Sequence, residues 1–346
     1  MDIRYSRSLF VAAAIALLCS CCGKTPQPEP APECSFVKGA DISWVTEMEA
    51  KGYKFYNAAG QERECTALLK ELGCDAVRLR VWVDPDGGWN GKADVVEKAR
   101  RAKALGMKVM IDFHYSDSWA DPAKQNIPAA WKGKNPADMA AAVAAHTQDI
   151  LQALKAAGVD VAWVQVGNEV TNGMLWESGK VAGTNPGQFV SYFHAGYDAV
   201  KAVYPQAQVI LHLDNGWKAE TLNWFLSLMQ GRSLRYDILG LSLYPSYWEN
   251  NAYPDWQPKV RQFLANLPAL HDSYGKPVML VEFGMPASQP DKTKAALQQL
   301  FADTAQYDWF EGIFYWEPEA EKARNGYDYG AFSNGKPTAA LDAFAD

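Results

Sequence analysis

The chain has 346 residues and a net charge of −7, with no block of clustered Lys and Arg, which argues against nucleic acid as a partner. Hydrophobic residues make up 48%, enough for a large core, while only 5 His and no Cys/His spacing of a zinc site point to chemistry without a metal or other cofactor. Aromatic residues reach 12%, with 13 Trp and 16 Tyr, an excess suited to flat platforms for the apolar C–H faces of sugars.

In chain order, Arg4 and Arg7 precede the apolar run Leu9–Leu18, the basic and apolar parts of a secretory signal. The run is short for a permanent membrane span. Leu18-Cys19-Ser20-Cys21 has the form of a bacterial lipobox, with Leu three residues before the modified Cys and a small residue just before it. Residues 1–20 are therefore expected to be a lipoprotein signal peptide and Cys21 the lipidated residue; Cys19 and Cys22 fit less well. Residues 21–34, with GKTPQPEPAPE, read as a Pro-rich, semi-rigid tether. Cys34, Cys65 and Cys74 remain, and an oxidising compartment permits one disulfide among them without the sequence choosing it.

From residue 35 to 346 no linker interrupts the chain, so one domain is expected. Apolar, strand-like runs appear at Phe36–Ser43, Asp75–Trp82, Met107–His114, Val159–Asn168, Gln208–Asp214, Asp237–Tyr244, Pro277–Phe283 and Gly312–Trp316. Stretches of helical period separate them, such as Arg63–Leu72, Ala93–Ala104 and Pro136–Ala156, each stopped by a Gly (Gly73, Gly106, Gly158). Strand, helix, strand at this spacing implies parallel strands, and eight such units fit an α/β fold of the (β/α)8 TIM-barrel class. An open doubly wound sheet would usually carry a Gly-rich phosphate loop after its first strand, and Gly39-Ala40-Asp41-Ile42-Ser43 is not one.

Barrel enzymes work at the C-terminal ends of their strands. Here those ends carry Asp41 and Ser43; Arg78, Arg80 and Trp82; Asp112 and His114; Asn168 and Glu169; His212 and Asp214; Tyr244; Glu282; and Trp316 and Glu317. The strand interiors are Val, Leu, Ile and Met, so the polar ends mark one functional rim. Glu169 after strand four and Glu282 at the end of strand seven face each other across a closed barrel mouth. Two carboxyls flanking one bond are what glycoside hydrolysis requires.

Val166-Gly167-Asn168-Glu169 together with Glu282 resembles the retaining glycosidases that carry Asn-Glu on strand four. Gly39-Ala40-Asp41-Ile42-Ser43, Arg78-Leu79-Arg80-Val81-Trp82-Val83-Asp84-Pro85, DFHYSDSWADP from Asp112 to Pro122, GNEVTNGMLW from Gly167 to Trp176, Tyr244-Pro245 and Tyr315-Trp316-Glu317-Pro318 narrow the resemblance. Together they are similar to the arabinogalactan endo-β-1,4-galactanases, glycoside hydrolase family 53, from Phe36 to the C-terminus.

The resemblance implies endo-hydrolysis of β-1,4-galactan by double displacement, with β-1,4-galactan and galacto-oligosaccharides as partners. It makes Glu169 the general acid/base, Glu282 the nucleophile, and Asn168 the donor to the sugar 2-hydroxyl. Arg78 or Arg80 would hold Glu282 ionised; both lie on the same face of strand two, and parity does not separate them. Tyr244 would donate to Glu282, His114 and Asp112 would meet the sugar, and Trp316 would floor the cleaved-sugar subsite. Trp82, Trp119, Trp176, Tyr247 and Trp248 are candidate platforms, Tyr253 and Trp256 loop packing.

Some bacterial relatives hold calcium in a longer eighth loop; Glu319–Gly330 offers few acidic groups at suitable spacing, so no metal is expected. A mannanase or cellulase of the same superfamily would share the chemistry and differ in its subsite walls. A non-catalytic surface lipoprotein that binds glycan would not need Glu169 and Glu282 together. Because the polymer is too large to import, the protein is expected as a monomer on the cell surface, held to the outer membrane by its lipid anchor alone.

Overall fold

The computed structural model describes residues 36–183 and 185–345; the signal sequence, Cys21, the tether and Cys34 lie outside the described residues. The eight apolar runs become β1 (Val37–Asp41), β2 (Ala76–Val81), β3 (Lys108–Phe113), β4 (Val161–Val166), β5 (Gln208–Leu213), β6 (Ile238–Leu243), β7 (Val278–Phe283) and β8 (Phe310–Trp316). All pair in parallel, and the β1–β8 pairing closes the barrel.

The crossovers are α1 (Cys65–Glu71), α2 (Lys92–Ala104), α3 (Pro136–Ala156), α4 (Pro186–Val203), α5 (Ala219–Gln230), α6 (Gln257–Tyr274) and α7 (Pro290–Thr304). Their boundaries follow capping chemistry. The Glu64 carboxylate accepts the Ala67 N–H at 2.8 Å to start α1, and the Asn135 side chain accepts the Asp138 N–H at 3.0 Å ahead of Pro136 to start α3. Gly106 and Gly158 stop α2 and α3 with φ of 69° and 71°, a conformation a side chain would oppose.

Two elements differ from the sequence reading. Helix α1 begins two residues after Arg63, because Glu62–Arg63 pairs with Phe55–Tyr56 in a small hairpin. In the eighth unit the crossover helix is replaced by a 3-10 turn, Ala339–Phe344, whose Phe344 meets Phe301 of α7 edge to face at 5.4 Å. Among the described residues no helix is long and apolar enough to cross a membrane. Neither Cys65 nor Cys74 forms the disulfide the sequence allowed: both are free thiols sealed in the core, and burial pushes both well up from the usual thiol range.

Residues alternate along each strand between the barrel lumen and the helix layer. The floor of the lumen is apolar, packed by Val37, Ala76, Met110, Trp163, Ile210, Ile238, Met279, Val281 and Phe314. Gly39 leaves room for Phe314 there, since a Cβ on it would sit 2.3 Å from that ring. One layer higher the same strands carry Asp41, Arg78, Asp112, Gln165, His212, Ser242 and Glu282, all buried. The fold thus stacks a polar layer on an apolar plug.

Candidate active site

Arg78 is the hub of the polar layer. Its Nη1 donates to Asp41 Oδ2 at 2.7 Å and its Nε to Gln165 Oε1 at 2.7 Å. Its Nη2 lies 2.9 Å from Asp112 Oδ2, 2.9 Å from Asn168 Oδ1 and 2.8 Å from Glu282 Oε1. Burial works to neutralise a guanidinium, but the surrounding carboxylates outweigh it and hold Arg78 charged. In return, Arg78 and His114 overcome the burial of Asp112 and keep its carboxyl down at about 2.

Glu282 reaches this layer through an irregularity. Pairing between β6 and β7 slips after Leu241, so that Ser242 stands opposite Glu282, and Glu282 faces the lumen although Val281 already packs its floor. Its second oxygen, Oε2, accepts the Tyr244 hydroxyl at 2.9 Å.

Glu169 stands outside β4 in a left-handed conformation, φ 46° and ψ 54°. Its backbone N–H donates to His212 Nδ1 at 3.2 Å, which makes that nitrogen an acceptor and leaves Nε2–H to donate to Ser242 Oγ at 2.7 Å. Burial, then the Arg78 charge, holds His212 well below the usual imidazole range and therefore neutral. One oxygen of Glu169, one of Glu282 and a ring nitrogen of His212 lie within 4.8 Å of one another. Both His212 nitrogens already serve protein partners, so the trio is not a free set of ligands.

The two carboxyls live in unlike surroundings. Burial, then the Glu282 charge, then Asp214 push Glu169 well above the usual carboxyl range. Burial also raises Glu282, but Arg78 and the Tyr244 hydroxyl oppose it. The proton that the pair shares therefore rests on Glu169.

The other sequence candidates separate into three groups. Asp112 is fully buried behind Arg78, and its Oδ1 accepts from Gln165 at 3.0 Å. His114 accepts the Ala120 N–H on Nδ1 at 3.0 Å and meets Asp112 Oδ2 through Nε2 at 3.0 Å, with 4% of its surface exposed. The polar atoms of Asp112 and His114 are thus engaged in the network that orients Arg78. Arg80 resolves the alternative that parity left open between it and Arg78. It does not touch Glu282; its Nη1 donates to Glu317 Oε1 at 2.7 Å.

The second group is aromatic. Trp316 at the end of β8 packs against Trp119 at 5.7 Å and Trp44 at 5.5 Å, and Trp82 meets Trp119 at 5.1 Å, all at steep interplanar angles. Each of these indoles keeps part of its surface exposed. The third group flanks Tyr244: Tyr247 lies flat on Tyr329 at 5.4 Å and Trp248 sits across Tyr253 at 4.7 Å, with Tyr247 and Trp248 59% and 50% exposed. Trp176 is pinned by its Nε1–H on Asn172 O at 2.8 Å, and Trp256 is core, 7% exposed.

Gln165, Ser242, Trp44 and Glu319 were not singled out from sequence. A signal for Gln165 exists, a lone amide inside the apolar run VAWVQV; Trp44 and Glu319 sit in loops with none. Two of the acidic side chains of Glu319–Gly330 are engaged within the protein: Glu321 accepts from Tyr53 and from the Gly335 N–H, and Asp328 from Lys322 and Tyr253.

Residues 37–311 match the model of glycosyl hydrolase family 53. The arabinogalactan endo-beta-1,4-galactanase of Humicola insolens is 35% identical over 308 residues, which span 81% of this chain and 89% of that protein. Among solved structures, one from a study of two fungal beta-1,4-galactanases superposes with a TM-score of 0.81 at 28% identity, covering 89% of this chain and 98% of the other. A family 53 catalytic domain from Ignisphaera aggregans gives 0.79 at 28% identity, covering 92% and 98%.

Proposed function

The chain belongs to glycosyl hydrolase family 53, and from that premise we propose that it hydrolyses internal β-1,4-galactosidic bonds of galactan with retention of anomeric configuration. The observation that carries this reading is the carboxylate pair: oxygens of Glu169 and Glu282 within 4.8 Å, only one of them held by an arginine. Retaining glycosidases place their carboxyls roughly 5–5.5 Å apart, too close for a water to be activated between them.

In the first step Glu169 gives its proton to the glycosidic oxygen while a Glu282 oxygen attacks the anomeric carbon. The C–O bond to the leaving chain breaks and a glycosyl ester forms. In the second step ionised Glu169 takes a proton from water, whose oxygen attacks the same carbon and releases Glu282. Asn168 keeps its Oδ1 on Arg78 and one amide hydrogen on Ala120 O at 2.9 Å, which leaves the other for the sugar 2-hydroxyl. Trp316 supplies the apolar floor, with Trp119, Trp82, Tyr247 and Trp248 as further platforms.

The test is paired. Glu169→Ala should lose nearly all activity on galactan yet keep far more on an aryl galactoside whose leaving group needs no protonation. Equal loss on both removes Glu169 from the acid/base role. NMR of the first-formed product should show the β anomer; the α anomer would rule out retention.

We also propose that Cys21 carries lipid and that residues 21–34 hold the enzyme off the outer membrane at the cell surface, as a monomer. The lipobox and the short apolar run before it support this reading. Cys21→Ala should release soluble, active enzyme, and wild-type protein found in the medium with an unmodified N-terminus would refute the anchor.

A further inference from the structure

Behind the exposed indoles lies a cation that touches no catalytic group. Arg80 is fully buried, and its guanidinium carbon stands 4.1 Å from the ring centre of Trp119, 5.0 Å from Trp82 and 5.4 Å from Trp44. Its Nη1 is on Glu317, but Nε and Nη2 are buried without a hydrogen-bond partner among the described residues. Nitrogens stripped of water in this way leave aromatic faces as the remaining electron-rich neighbours.

The wall reaches further than those three rings. Trp44, Trp119 and Trp316 meet one another at 5.4, 5.5 and 5.7 Å, forming a closed triangle of indoles. Glu317 follows Trp316 in the chain and takes the Trp44 N–H on its Oε2 at 3.1 Å. One buried ion pair therefore grips all four indoles, three by ring face and the fourth through the backbone. Glu319 is buried beside it, and burial, then the Glu317 charge and a hydrogen bond to Glu317, push its carboxyl well up, so it stays neutral and Glu317 supplies the countercharge.

We propose that Arg80 is a positioning residue for the glycan-binding wall: with Glu317 it fixes the four indoles in the arrangement that receives the sugar units beside the cleaved bond. It thereby governs how tightly the polymer is held, while the proton chemistry belongs to Arg78. The proposal rests on the reading of the cleft as a glycan site.

The test uses Arg80→Met combined with Glu317→Gln, which leaves no buried charge unpaired, and Arg80→Lys alone, which keeps the charge but loses the plane that stacks. With galacto-oligosaccharides of increasing length, the double variant should raise KM about tenfold, lower kcat by less than about threefold, and leave both limbs of the pH profile in place. Arg80→Lys should fall between it and wild type. Tryptophan fluorescence titration with galactotetraose should show the same loss of affinity in a Glu169→Gln background, where no turnover occurs. Unchanged KM and affinity in a folded variant would overturn the proposal, and so would a displaced acid limb. Should the double variant not fold, Arg80→Lys decides by the same readings. Wild-type enzyme that cleaves another β-glycan but not galactan would sink the substrate assignment instead, and the same comparison would then be read on that glycan.

Discussion

Arg78 and Arg80 occupy successive lumen-facing positions of β2, both fully buried, and they work in different worlds. About 6.6 Å of strand separates two such positions. At the lower one, Arg78 meets three carboxylates and the Asn168 and Gln165 side chains, and its charge is spent in setting Glu282. At the upper one, Arg80 meets one carboxylate and three indole faces, and two of its nitrogens find no hydrogen-bond acceptor. Burial and residue type are the same; height above the apolar plug decides whether the cation tunes a proton or a surface.

Arg78→Met gives the largest effect. It leaves Asp41, Asp112 and Glu282 facing one another without a cation, so kcat/KM should fall by a factor on the order of 10³ or more, and stability by about 3–5 kcal/mol in chemical denaturation. A loss as small as that expected of the Arg80→Met/Glu317→Gln variant would erase the contrast between the two arginines.

Tyr244→Phe sharpens it from the side of the nucleophile. The hydroxyl favours ionised Glu282, whose carboxyl already lies above the usual range. Without the donor it rises further, protonation sets in at higher pH, and the acid limb of kcat/KM should move to higher pH. The maximal rate should drop about tenfold. A profile that keeps its acid limb would show that Tyr244 does not act on Glu282.

The smallest expected effect belongs to Glu319→Gln. A carboxyl raised in the folded state holds its proton there after the unfolded chain has lost its own, so wild-type stability declines as pH rises from the ordinary carboxyl range toward the raised one. Gln is always neutral. Its melting temperature should match wild type near pH 4 and exceed it modestly at pH 8, and a lower value at pH 8 would mean that Glu319 is ionised in the fold.

Much of this was legible in the sequence, because apolar runs closed by polar residues are enough to place strand ends on one rim. Glu169, Glu282, Asn168 and Tyr244 are candidates on that ground and through family resemblance, and the structure gathers them at one mouth. Arg78 and Arg80 could not be told apart, since parity gives the face of a strand and not the height of its neighbours. Glu282 faces inward through a slip in pairing that no alternation pattern encodes. Parity places Asp112 and His114 at a strand end but does not show that the Ala120 N–H, in the loop just after His114, and Arg78, on the neighbouring strand, occupy their polar atoms. Trp44 and Glu319 acquire their roles only when loops after β1 and β8 meet.

The partners of Arg78 come from β1, β3, β4, the residue two beyond β4, and β7, and none comes from the middle of a loop. Glu282 and the groups that set its charge are thus anchored in the part of the chain that insertions and deletions seldom reach, as is Trp316 at the end of β8, while Trp119, Tyr247 and Trp248 ride on loops that tolerate them. A lineage built this way can trade one polysaccharide for another by exchanging rim segments, inheriting the machinery for breaking the bond intact.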